Sequence, residues 1–127
     1  MSKKSRAPEI RPAFNWLDDV ADHDFDAAHA YLSMRFEDDV TDRLVRKLRD
    51  APLTSRRAND ILRACNHEPL PIDDPGVLHS LLKVARGEPM SPILVVNREI
   101  ADGYHRVSLV YQLDPFGIVP LRLAFDK

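Results

Sequence analysis

Cysteine is almost missing from this chain. Cys65 stands alone, so no internal disulfide can form and no CxxC pair is available for zinc. A reducing, cytoplasmic setting is the simple expectation. Long apolar runs are missing too. None approaches the roughly 18 residues that a membrane-spanning helix needs. The basic start "MSKKSRAPEIRP" is followed by no apolar segment of the kind that marks a secretory signal. Charge excess is also missing. The 18 Lys and Arg against 20 Asp and Glu give a formal net charge of −2, which supplies no global field to draw the chain onto DNA or an anionic membrane. Internal repeats and low-complexity blocks are absent beyond the first dozen residues.

What is present is ordinary for a soluble domain. The chain has 127 residues, 44% of them hydrophobic and 30% charged, enough for one domain with a single modest core. Residues 1–12 read as a flexible basic tail carrying Lys3, Lys4, Arg6 and Arg11. Residues 13–127 read as one domain, with N-terminal helices over 13–66 and a core over 67–127. Phe14 and Trp16 are expected to dock the start of that domain onto its core.

Hydrophobic periodicity orders the elements. "FDAAHAYLSMRF" sets Phe25, Ala28, Leu32 and Phe36 on one helical face. "EDDVTDRLVRKLRD" does the same with Val40, Leu44, Val45 and Leu48, with acids at its start and bases near its end, as the helix dipole favours. Ala51-Pro52 stops it. "TSRRANDILRACN" is expected as a third helix, capped by Thr54 or Ser55 and burying Ala58, Ile61, Leu62 and Cys65. Arg56 and Arg57 would then sit in its first turn, where cations oppose the dipole. Asp74 caps a fourth helix with Pro75 in its first turn, and Val77, Leu78, Leu81, Leu82 and Ala85 are its expected buried ridge. Gly87 ends it. Then the period changes. "PILVV" (92–96) reads as a buried strand, "NRE" as a turn, 99–101 as a second strand, "YHRVSLVYQL" as a fifth helix, and "IVPLRLAF" (118–125) as a last strand that Pro120 places at an edge or on a bulge. The fold class is α+β: a helical N-terminal layer, then an α-β-β-α-β core.

The chemistry concentrates in "IADGYHRV" (100–107). Gly103 permits a backbone angle that other residues avoid and lets a ligand approach the main chain. The helix that follows offers unpaired N–H groups, a ready anion site. Arg106 brings a planar fork suited to phosphate oxygens. His105 adds a donor or a proton shuttle. Asp102 can orient Arg106, hold a metal or accept a proton. Tyr104 can stack on a base or sugar, or pack inward. The same residue types equally suit a plain helix start, with Asp102 as cap, Gly103 as turn and Arg106 paired to a surface acid.

The segment "ARGEPMSPILVVNREIADGYHRVSLVYQLDPFGIVPLRL" resembles the ParB-like/sulfiredoxin-like superfamily. Gly87, Pro92-Ile93, Val95, Asp102-Gly103, His105-Arg106 and Val119-Pro120 match its motifs in order over about residues 75–125. The resemblance implies a ParB/sulfiredoxin-like core that binds a nucleotide or another phosphorylated small molecule. Gly103, Tyr104, His105 and Arg106 would hold it, with a nucleotide triphosphate and Mg²⁺ as cofactors. Asp102 and His105 would be the catalytic groups of a phosphotransferase or nucleotide hydrolase. The sulfiredoxin nucleophile has no counterpart, because position 104 is Tyr, so reductase chemistry is not expected. No helix-turn-helix follows the motif, so DNA partition is not expected either. The competing expectation is a non-catalytic interaction or regulatory module, such as a toxin–antitoxin component, with a protein partner on the N-terminal helices.

Other candidates read as structural. Asp22, His23 and Asp24 diverge as neighbours, and His29 stands too far along for a metal pair, so "DHD" reads as a solvated turn. His67 and Glu68 follow a helix end, His79 lies on the polar side of the fourth helix, and Glu88 is within reach of the same mouth as Asp102. Cys65 reads as a buried structural thiol.

Overall fold

The computed structural model describes residues 14–126. The basic tail expected over 1–12 lies outside them. Five helices and four strands follow in the order α1 (Asp22–Ser33), α2 (Asp38–Asp50), β1 (Leu53–Arg57), α3 (Ala58–Ala64), α4 (Pro75–Ala85), β2 (Ile93–Val96), β3 (Glu99–Asp102), α5 (Tyr104–Leu113) and β4 (Ile118–Ala124). The strands form one mixed sheet in the order β1-β4-β2-β3. β4 runs parallel to β2 and antiparallel to β1, and β2 and β3 form a hairpin. This is an α+β fold. Among the described residues no helix is long and apolar enough to cross a membrane.

Helices cover both faces of the sheet. On one face Leu94, Val96, Ala101 and Ala124 pack under Phe25, Ala28 and Leu32 of α1 and Leu44, Val45 and Leu48 of α2. On the other, Ile93, Val95, Ile100, Val119 and Leu121 meet Ile61 and Leu62 of α3, Val77 of α4, and Val107 and Val110 of α5. That is why all four residues of β2 are buried: a central strand with two covered faces loses the alternation of a half-exposed one. Each fully buried leucine, Leu32, Leu44 and Leu48 among them, contributes about 1.5–3 kcal/mol relative to exposure. Phe14 and Trp16 do dock the N-terminal segment: Leu17 N donates to Met90 O and Met90 N to Asn15 O.

Three expectations are corrected. The third helix does not begin at Thr54. Residues 53–57 are a strand, and the helix starts at Ala58, where its apolar face also starts. The side chains of 54–57 have no apolar stripe to bury as a helix, whereas β4 offers them an open ladder. Arg56 and Arg57 therefore lie in the strand rather than inside the helix, with Arg57 as the residue immediately before α3. Arg56 donates to Thr54 Oγ1 and Ser55 O, and Arg57 lies over the Phe116 ring. With β1 present, β4 is a central strand rather than an edge. Pro120 is tolerated because it precedes the first β2–β4 register pair, Ile93–Leu121, so its missing N–H interrupts nothing on that side. Finally, α4 is rotated from the expected phase. Val77 and Ser80 are buried, Leu81 and Val84 partly so, and Leu78 and Leu82 face outward.

Candidate functional site

The turn of interest is built by a bulge and a glycine. Along β3, Ile100 pairs with Val95, but Leu94 pairs with Asp102, so Ala101 is an extra residue in the ladder. A bulge re-aims the side chain that follows it. Asp102 is thereby brought opposite Leu94, on the face covered by α1, rather than left on the face of Ile100. Gly103 then takes φ 110°, a left-handed conformation that favours glycine. A Cβ here would stand 2.3 Å from Ile93 Cγ2. α5 begins at once and has no side-chain cap. By contrast, the Asp74 carboxylate closes the start of α4, accepting from Gly76 N and Val77 N at 2.9 and 3.1 Å.

Arg106 lies one turn into α5. Its Nη2 is 2.9 Å from Asp102 Oδ2 and 3.4 Å from Asp24 Oδ2. Asp24 belongs to α1 and is only 4% exposed. One guanidinium therefore balances two carboxylates. Burial pushes the Asp102 carboxyl above its usual range; Arg106 pulls it back, and the nearby Asp24 charge raises it again. His105 stands 3.6 Å from Asp74 Oδ2, an ion-pair distance too long for a hydrogen bond. Its ring fills the space above Gly76, where a Cβ would come within 2.3 Å of it.

These residues open onto a cavity of about 400 Å³ between α1, α4 and α5. Asp102, Gly103, His105 and Arg106 form one wall. Gly76, His79, Ser80 and Lys83 form another, at the i, i+3, i+4, i+7 spacing of a single face of α4. Ala21 and His23, at the start of α1, and Ser91 complete it. Ser91 Oγ accepts from Ala21 N at 3.0 Å, which ties the start of α1 to the start of β2. Among the described residues of this lining Asp102 is the only carboxylate, beside Lys83, Arg106 and three histidines. A lysine, an arginine and histidine ring nitrogens gathered at an uncapped helix start are donors that can hold an anion.

Four of the five residues singled out in the turn line the cavity, and Tyr104 does not. Its hydroxyl donates to Glu68 O, and its ring lies 4.8 Å from that of His67. Glu88 is turned aside as well, paired with Arg86 at 3.3 Å. The reading of "DHD" as a solvated turn fails for Asp24, which is buried within α1. The signal was available: Asp24 precedes Ala28 and Leu32 at four-residue steps, an acid on an apolar face. The sequence carries no site signal at Lys83, and only a polar-face signal at His79, because neither face of α4 has a meaning until α5 packs beside it. Among the described residues no three His, Cys, Asp or Glu side chains group as a metal cage.

No protein-family model, curated protein or solved structure matches the chain.

Proposed function

We propose that the cavity between α1, α4 and α5 binds the phosphate end of a nucleotide or another phosphorylated small molecule. One observation carries this reading: the uncapped start of α5 opens into a single cavity lined by His79, Lys83, His105 and Arg106 from two helices. Phosphate oxygens would take the N–H groups of that first turn and the fork of Arg106. Catalysis would be phosphoryl transfer or nucleotide hydrolysis. An attacking hydroxyl or water would lose its proton to Asp102 or His105 as its oxygen bonds to phosphorus and the leaving oxygen departs. A carboxyl whose affinity for protons is raised by burial suits that task. Mg²⁺ usually comes with most of its ligands from phosphates and water, and needs one or two carboxylates. Asp102 is the one that this cavity lining offers, and it is shared with Arg106.

A purely interaction-based role would call for a broad apolar surface on α1–α3. The apolar faces of α1 and α2 are instead spent on the sheet, which supports the binding reading. A thermal-shift screen of nucleotides and inorganic phosphate, with and without Mg²⁺, tests it. A compound at 100 times its Kd stabilises the native state by about 2.7 kcal/mol. Lys83→Ala and His79→Ala together should remove most of the shift. A screen without any shift, or a shift indifferent to both changes, overturns the proposal.

A further inference from the structure

On the α3–α5 face the end of β4 is less covered than its middle: Leu121 is buried, Leu123 only partly so, and Phe125 is exposed. Beyond Ile93 and Leu121, β2 and β4 continue with the register partners Val95 and Leu123. These two side chains line a second cavity, of about 320 Å³, with Ile61 of α3 and Cys65, just past its end, also in its lining. Phe125 stands at it, 58% exposed. Burial pushes the Cys65 thiol up to about 11, so at neutral pH it is an uncharged, apolar part of the wall.

The charged lining is small and unbalanced. Among the described residues, Arg56 and Arg98 share the lining with a single acid, Asp60. Arg98 makes no ion pair with any described residue. Its backbone is also unusual. Asn97 and Arg98 form the two-residue turn between β2 and β3 at φ 50° and 66°. Glycine is strongly favoured at the second position of such a turn. An arginine held there trades backbone ease for a guanidinium beside the cavity, and strain kept in place points to use.

We infer that this cavity binds an amphipathic carboxylate, with its apolar body against Val95, Leu123 and Ile61 and its head between Arg56 and Arg98. An apolar wall gains from excluding water, and a guanidinium matches a carboxylate in charge and shape. This site is separate from the phosphate cavity, and among the described residues the two share no lining residue.

Decanoate is the probe, titrated below its micellar concentration into the full chain by calorimetry, with decanol and acetate as controls. Decanoate should bind saturably at one site. Decanol, which lacks the head, should bind at least tenfold more weakly, and acetate, which lacks the body, should not bind. Arg98→Gly gives the sharpest test. It should raise the melting temperature, because glycine suits the turn, while weakening decanoate roughly tenfold, the equivalent of one charge-assisted contact. Ala64→Trp, in the cavity wall, should block decanoate and leave the phosphate response unchanged. Equal binding of decanol, binding at many sites, no saturable binding, or an affinity untouched by both Arg98→Gly and Arg56→Gln each overturns the inference.

Discussion

Asp24 Oδ2 lies 3.4 Å from Arg106 Nη2, and through that contact the first helix is fastened to the last. Among the described residues, Asp24 Oδ2 and Arg106 Nε have no hydrogen-bond partner. The pair is held by charge rather than by a forked geometry. Arg106 therefore serves the fold as well as the cavity, since it neutralises a carboxylate that water does not reach.

Arg106→Ala would leave the buried Asp24 with only the exposed His23, 3.2 Å from its Oδ1, beside it, a loss of about 3–5 kcal/mol for a broken buried pair. Arg106→Lys should recover much of it. Asp24→Asn should cost less than Arg106→Ala, because it also relieves the repulsion on Asp102. Urea unfolding of the three variants checks the order. A loss below about 1 kcal/mol for Arg106→Ala would show that Asp24 is solvated after all.

The Asp102 carboxyl sits above its ordinary 3.8, first because burial disfavours its charge and then because Asp24 is near. Between 3.8 and its folded value the native state binds more protons than the unfolded one. Stability should therefore fall as pH rises through that window. Asp19 and Asp126 are lowered by their bonds to Arg122 and Arg43, so their contribution is lost only as pH falls below 3.8, with the opposite sign. Asp102→Asn should flatten the upper window and leave the lower one intact. Parallel curves of urea midpoint against pH for the two proteins would refute this.

Two glycines should respond differently to alanine. Gly103→Ala forces a left-handed backbone angle on a residue with a Cβ, about 1–2 kcal/mol, and drives that Cβ into the buried Ile93, about 1–3 kcal/mol more. At Gly76 the obstacle is the His105 ring, which is half exposed and can swing away. Gly76→Ala should be nearly neutral for stability, and yet it should weaken phosphate or nucleotide binding by displacing His105. Melting temperature and calorimetric affinity, measured on both variants, separate the two effects.

Cys65 should be inert while the protein is folded. With the thiol pushed up to about 11 and buried, thiol reagents at pH 8 should label it only after denaturation. Cys65→Ser should cost about 1–3 kcal/mol if the hydroxyl finds no partner. Fast labelling of the native protein would contradict the burial.

Local rules made much of the architecture legible in the sequence. The 3.6-residue pattern in α1 and α2, the Asp74 cap of α4, the β-branched run of β2, and Gly103 between strand and helix each follow from forces acting within a few residues. So does the clustering of Asp102, His105 and Arg106 at one turn. What the tertiary structure decided depends on partners far along the chain. β1 is a strand only because β4 offers it a ladder, and Pro120 is central only because β1 accepts that offer. Asp102 turns toward α1 because of an extra residue in the β2–β3 register. Asp24 and Lys83 join the surroundings of the turn only once α1 and α4 have packed beside α5. A sequence displays periodicity and caps, because these are written in neighbours. It does not display which carboxylate a guanidinium will meet, because that contact is fixed by the packing of whole elements.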